Sequence, residues 1–461
     1  MDRLTIIFGI SFAYIAAATI VGTLSLKRTK DTESFMTAKH QMGAMVIGIL
    51  MMSEFIGTGS TLGTAQAAYE KGISAAWNLI ALGIGYLLYG YFMAPKFHAL
   101  GEYTISGALA KHYGNAVRIV VSITMIYALT TVNVSMYTGG AATIGSLLDI
   151  PIQTAVWIIG AAAILNVTLG GIRGVGHANL IHASFKYMGL IVVALVGWSL
   201  LRANPQAVER IPKTHFSVTG VGGSTLVAWT LANIGAVFST QYVIQCISSL
   251  STPEDAKKAS IVASITIVPI GLLAAFIGVA SRGLFPDINS VMAMPAFFDV
   301  MNPWLAGIAV SSIIAATFVT ILACQLGATA LIMKDFYIPL ANPDEKRKMQ
   351  MTRAISILIG LAPIPFALYV PALLKTVFFA RALRTSIAVL AVFMFYLPAV
   401  GTSRGALLGL IGGVAGTTLF FVLGNPWGID NIYVAAIIPA VVMAAEYLFG
   451  RRRASPPAVS G

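Results

Sequence analysis

Apolar stretches of about 20 residues, the length a helix needs to cross a bilayer core, recur along the chain from end to end. Hydropathy divides them into about 13 spans. They run roughly over 5–26, 43–69, 74–94, 116–148, 152–170, 176–201, 220–247, 259–281, 304–333, 351–370, 373–398, 405–423 and 430–449. The longest connections are only about twenty residues, so no soluble domain is left over. The pattern predicts an all-α polytopic membrane protein: one transmembrane domain over 1–450 and a short tail at 451–461.

One span is interrupted by polar residues. Within the apolar run 42–69 stands Met51-Met52-Ser53-Glu54-Phe55-Ile56-Gly57-Thr58-Gly59-Ser60-Thr61-Leu62-Gly63. Backbone in lipid must satisfy its own hydrogen bonds, so an irregular patch survives at that depth only where it lines an enclosed cavity. A glycine-interrupted apolar segment is the best pointer to a carrier's binding site. Gly59 and Gly63 also fit the small-residue packing motif, and one face can pack while the other lines a site.

A second interruption is expected in the span 220–247, where Asn233 and Gly235 fall near the middle of Ala228–Gln241. With the first span set aside, these two helices become the first and sixth of a ten-helix core. Two five-helix halves, about 43–201 and 220–398, would then repeat with inverted topology, because an odd number of spans per half forces the inversion.

Composition agrees with a membrane chain: 57% of the 461 residues are hydrophobic and only 10% charged, against roughly a quarter charged in soluble domains. The net charge of +12 is not a nucleic-acid footprint. It gathers on one set of connections, at Lys27, Arg28, Lys30, Lys39, Lys96, Lys111, Arg118, Lys257, Lys258, Lys334, Lys346, Arg347, Lys348, Arg353, Arg404 and Arg451–Arg453. The alternate set holds only Arg3, Lys71, Arg202, Arg210, Lys213 and Arg282. The positive-inside rule makes the first set cytoplasmic, with the N-terminus outside and the C-terminus inside a cell membrane. The first apolar run has no clear cleavage site and reads as a span rather than a signal peptide. Cys246 and Cys324 lie in different spans without metal-ligand spacing and read as buried, inert thiols.

Charges inside the spans are the remaining chemistry. Arg381 and Arg384 are three apart and share a helix face. Arg384 lies about 21 Å from the helix end near Pro398, well inside the bilayer core. Such a charge costs about 3 kcal/mol in lipid unless it has a partner or a wet cavity. A carboxylate solute, held as a bidentate pair, is one partner. A structural bridge to Glu54 is another, and snorkelling is a third, which suits Lys375 nearer the outside. Glu54 is an intramembrane carboxylate and hence a possible coupling group; a structural hydrogen bond to a neighbouring helix is the plainer reading.

Seven short matches, in order, carry a family resemblance. They are Glu33-Ser34-Phe35-Met36-Thr37-Ala38-Lys39; the spacing Gly63, Tyr69, Gly72; Gly170-Gly171-Ile172-Arg173-Gly174-Val175; Ala232-Asn233 with Gln241-Tyr242-Val243-Ile244-Gln245; Glu254-Asp255-Ala256-Lys257-Lys258; Ala315-Ala316 through Lys334-Asp335-Phe336-Tyr337; and Gly401-Thr402-Ser403-Arg404-Gly405-Ala406-Leu407-Leu408-Gly409. Together they resemble the sodium/solute symporter family, whose members include glucose, proline and pantothenate carriers. The resemblance implies the LeuT-like inverted-repeat fold of five plus five helices, with one extra helix before and two after. It also implies cation-coupled symport of a small organic solute, with sodium as the expected ion and a proton as the alternative.

Carried over by motif, the resemblance implies a sodium site at the carbonyls of Ser53, Ile56 and Ala316 and the hydroxyl of Thr320. The family's adjacent hydroxyl falls on Val319, which has threonine's shape without its oxygen, so one ligand is missing; Thr317 or water could supply an oxygen. The family's usual Asp and Gln of core helix 5 fall on Asn179 and His182. His182 and the nearby His177 read as a solvated helix end. The implied solute site faces Phe55, Gly57, Thr58, Gly59 and Ser60, with Asn233 and Ala236 from core helix 6 and Arg384 from core helix 10. Ala236 replaces the bulky aromatic gate of sugar-carrying relatives, and Ser60 replaces their polar sugar contact, so an organic anion or amino-acid-like zwitterion is expected rather than a sugar. A coupling-deficient membrane sensor is the competing reading. An intramembrane enzyme is disfavoured, because the buried histidines and acids form no metal or nucleophile set.

Overall fold

The structure, a computed structural model, describes residues 2–26, 42–148, 150–368 and 373–453; the side chains at 19, 22–26, 146, 165–179 and 450–453 are outside that description. The expected motif at 33–39 lies outside the described residues, and the side chains of Arg173, His177 and Asn179 lie outside the described side chains.

The helices that build the site and its frame are α1 (Arg3–Leu26), α2 (Ala44–Phe55), α3 (Thr58–Lys71), α4 (Trp77–Leu88), α5 (Asn115–Leu148), α6 (Ile152–Ala203) and α7 (Gly223–Ser239). There follow α8 (Gln241–Ser248), α9 (Pro253–Leu284), α10 (Pro303–Ile332), α11 (Glu345–Leu361), α12 (Leu373–Tyr396), α13 (Ser403–Val422) and α14 (Asn431–Arg453). Among the described residues, nine helices are long and apolar enough to cross a bilayer, and two further pairs, α2 with α3 and α7 with α8, are bent at a short break. The expected span 5–26 lies within α1, and the expected spans 152–170 and 176–201 both lie within the one long helix α6.

Packing sorts most of these helices into two groups. The helix α9 packs on α2, α3 and α4, and α7 packs on α4, which makes one bundle. A second group forms where α10 packs on α5 and α6 and α11 packs on α6 and α10. The pair α2–α9 is matched by α7–α4, and α5–α12 by α10–α6. These are the pairs that exchange when the first five core helices are laid on the second five, as an inverted repeat requires.

Both interruptions exist, but the second is not where glycine placed it. The first falls at Ile56–Gly57, where α2 and α3 diverge by 57°. Ile56 has φ −97° and ψ 68°, and Gly57 is extended. A Cβ on Gly57 would lie 2.2 Å from Met136 Sδ and 2.7 Å from Thr320 Oγ1, so only glycine lets α5 and α10 approach the break this closely. The second bend, of 44°, falls at Thr240 and not at Asn233–Gly235. Residues 233–235 are regular helix within α7. Gly235 is there for packing: a Cβ would lie 2.2 Å from Thr385 Oγ1 of α12.

Candidate functional site

A helix that stops in mid-membrane leaves its last carbonyls without intrahelical donors. At the end of α2 two of these oxygens, and the Met51 carbonyl just before them, are met by three side chains from three other helices. Tyr86 Oη of α4 donates to the Met51 carbonyl at 2.5 Å, Lys186 Nζ of α6 to the Ser53 carbonyl at 3.1 Å, and Thr320 Oγ1 of α10 to the Glu54 carbonyl at 3.0 Å. Lys186 is only 1% exposed, and no carboxylate pairs with it among the described residues.

The two breaks meet through Glu54. The Thr240 hydroxyl, at the second break, donates to Glu54 Oε1 at 2.8 Å and accepts from Arg384 Nη1 at 3.1 Å. Arg384 Nη1 also stands 3.5 Å from Glu54 Oε1. Arg381, one turn earlier, donates to Asn78 Oδ1 at 2.7 Å and to Ser60 Oγ at 3.2 Å. Asn78 is held in turn by donating to Thr64 Oγ1 at 2.8 Å. The Phe55 ring lies 5.9 Å from the Arg381 guanidinium carbon and 5.7 Å from that of Arg384, in cation–π range of both. Glu54 Oε2 and Ser53 Oγ are buried with no hydrogen-bond partner among the described residues.

These groups surround a narrow cavity lined by Glu54, Phe55, Ser60, Arg381 and Arg384, with Thr320 and Cys324 of α10 on its wall. Its free space holds no more than about one or two waters. Of the expected solute-facing residues, Phe55, Ser60 and Arg384 line it; Gly57, Gly59, Asn233 and Ala236 do not. Gly57 is packed as described above, and a Cβ on Gly59 would meet Ser135 Oγ and Val377 Cγ2, each at 2.6 Å. Asn233 Nδ2 donates to the Asn78 carbonyl at 2.9 Å, which makes it a brace between α7 and α4. Thr58 reaches toward the Met136 carbonyl, at 3.5 Å.

Sodium takes oxygen ligands, and the expected donors are one oxygen short, with one of them shared. Val319 is buried and brings no oxygen, and the Ser53 carbonyl already receives an ammonium. Ile56 and Ala316 are buried beside the break, and Thr317 donates to the Ile313 carbonyl within its own helix. His182 is also not a solvated helix end: it is buried, hydrogen-bonded through Nδ1 to Tyr14 Oη of α1 and edge-on to that ring. Lys375 is exposed, as a snorkelling lysine should be. Among the described residues, no group of three or more His, Cys, Asp or Glu could hold a metal.

Thr240, Asn78 and Lys186 were not among the expected site residues. A lone lysine within the apolar run 176–201 was the available signal for Lys186, since an ionisable group in a span marks a functional position by default. Nothing local marks Thr240.

Two broken helices in repeat-related positions, joined by the Thr240–Glu54 hydrogen bond beside a charged cavity, define a secondary-carrier architecture. Across 97% of this chain and 98% of the other, the fold matches a solved Na+-coupled sialic acid symporter in a substrate-bound outward-open state, with TM-score 0.81 and 16% identity. The chain belongs to the sodium:solute symporter family, whose model matches residues 35–413. It is 22% identical to the sodium/proline symporter of Escherichia coli over 77% of this chain and 75% of that one. It is also 22% identical to the sodium/pantothenate symporter of Escherichia coli, over 77% and 76%. Identity to the sodium/glucose cotransporter of Vibrio parahaemolyticus is 23%, over 68% and 65%. The protein is thus a multi-span membrane transporter of a family whose named relatives couple solute movement to sodium.

Proposed function

We propose that the solute is a small organic anion or amino-acid-like zwitterion, carried by alternating access with its carboxylate on Arg381. One observation supports this above the rest: the cavity is walled by two guanidinium groups and one carboxylate. Arg384 and Glu54 are paired, so the bridge between them accounts for one arginine. Arg381 is 1% exposed; it donates to the neutral groups of Asn78 and Ser60, lies over the Phe55 and Phe378 rings, and has no carboxylate in salt-bridge range among the described residues. An uncompensated buried charge is costly, and a carboxylate entering the cavity would offset it through a charge-assisted pair. The sugar-carrying alternative lacks support from the lining, which offers few neutral polar side chains.

In this reading the bundle of α2, α3, α4, α7, α8 and α9 rocks against the frame of α5, α6, α10 and α11. The cavity is too narrow for a solute as it stands, so entry requires the bundle to part from α12 or α5. The ends of the broken helices hold and release the solute; the cycle needs no covalent chemistry. The distribution of basic residues supports placing the N-terminus outside and the C-terminus in the cytoplasm.

The test is uptake by proteoliposomes of labelled carboxylates, amino acids and sugars under imposed sodium or proton gradients. Gradient-driven accumulation of a carboxylate-bearing solute is expected. Arg381→Gln should raise its half-saturating concentration about tenfold to a hundredfold, the worth of a hydrogen-bonded charge. No accumulation of any solute would sink the transport reading. Sugar-selective uptake indifferent to Arg381→Gln would sink the anion assignment.

A further inference from the structure

Lys186 of α6, which donates to the end of the broken helix α2, has no place in the solute reading. We propose that the ammonium of Lys186 takes the position of the coupling sodium ion between α2 and α10, so that this chain requires no sodium there. The proposal goes beyond the solute assignment and rests on the transport reading only in naming the position.

Electrostatics at the end of α2 calls for a cation. Its free carbonyls and the negative end of its dipole converge on one spot in the middle of the membrane. Lys186 Nζ sits 3.1 Å from one of these oxygens, Ser53 O, which the family resemblance assigns to sodium. An ammonium is a compact point charge with three donors, close in character to a small cation, but tethered to the chain. It needs fewer oxygens than a metal ion does.

Three further observations agree with a tethered cation. Val319 lacks the hydroxyl a sodium ion would use and is buried at 1% exposure, so open solvent does not stand in for that oxygen. Among the described residues Lys186 has no carboxylate partner: Glu54, on the same broken helix, is engaged by Thr240 and Arg384. Finally, α6 is seated tightly on the helix that carries Ala316, Val319 and Thr320. A Cβ on Gly189, one turn from Lys186, would lie 2.1 Å from Ser312 Oγ of α10. A missing oxygen on α10 and a buried cation on α6 are independent features that both bear on the end of α2, and each makes sense of the other.

The test uses the full chain, purified, with sodium as the only ligand. Saturable binding of radioactive sodium and the thermal midpoint in sodium chloride against choline chloride are the two readouts. For the wild type, no sodium-specific rise is expected. The double variant Lys186→Ala with Val319→Ser removes the ammonium and supplies the missing hydroxyl. It should gain saturable sodium binding and a sodium-specific rise of about 2 °C. Sodium binding by the wild type that is abolished by Thr320→Val would overturn the proposal. So would a well-folded double variant that gains none. If the double variant does not fold, the wild type and Thr320→Val decide between the same two outcomes. Because no solute is needed, a failed uptake panel would sink the transport reading and leave this result standing.

Discussion

The two broken helices reach a similar shape by different chemistry. At Ile56–Gly57 the break depends on the absence of a side chain: Met136 and Thr320 press on Gly57 so closely that a methyl group has no room. At Thr240 there is neither glycine nor proline. The break there is an extended threonine, with φ −68° and ψ 134°, whose hydroxyl is engaged by Glu54 and Arg384. One break needs a bare backbone beneath side chains of α5 and α10. The other is held from outside, by side chains on α2 and α12. Repeat-related positions can therefore share a geometry without sharing a cause.

The contrast can be broken, and the largest effect should come at the steric end. Gly57→Val should cost about 3 kcal/mol of stability through overpacking, read as a lower unfolding midpoint in detergent. An unchanged midpoint would mean the first break tolerates a side chain. Next, Glu54→Gln leaves Arg384 buried without its counter-charge, and should cost nearly as much, about 3 kcal/mol. It should be partly rescued by Arg384→Met, which removes the stranded charge; no rescue would show that the pair does not hold the second break. Gly235→Ala should cost about 1–2 kcal/mol, and Thr385→Ala should restore part of it, because the Cβ of residue 385 would still stand 2.7 Å away. If Gly235 were a hinge rather than a packing position, the second change would restore nothing. Thr240→Val should be the mildest, about 1 kcal/mol, because Arg384 and Glu54 still face each other.

The fold was largely legible in the sequence, because bilayer thickness turns hydropathy directly into spans. The first break was legible as well, since glycines and hydroxyls crowd where apolar residues belong. The second was misplaced onto Gly235 because a glycine can serve close packing as readily as chain reversal, and only the position of Thr385 distinguishes the two. The pairing of Arg384 with Glu54 was one of the options read from the chain. The contact between Lys186 and Ser53 was not, because 133 residues separate them and no local pattern encodes which buried carbonyl a buried amine will find. His182 was misread for a similar reason: its partner, Tyr14, is on the helix before the core.

Cys324 has a practical consequence. It is one of two cysteines in the chain, both free and buried, and it lies on the wall of the charged cavity. The unmodified protein thus carries its own reporter of opening. A small thiol-specific reagent can reach Cys324 only when the cavity is wider than it is here, so the rate of labelling times how often the carrier opens. Replacing Cys246 with serine would make that signal come from a single atom. The same chain could then be watched in sodium, in choline or with a trial solute, without first knowing what it carries.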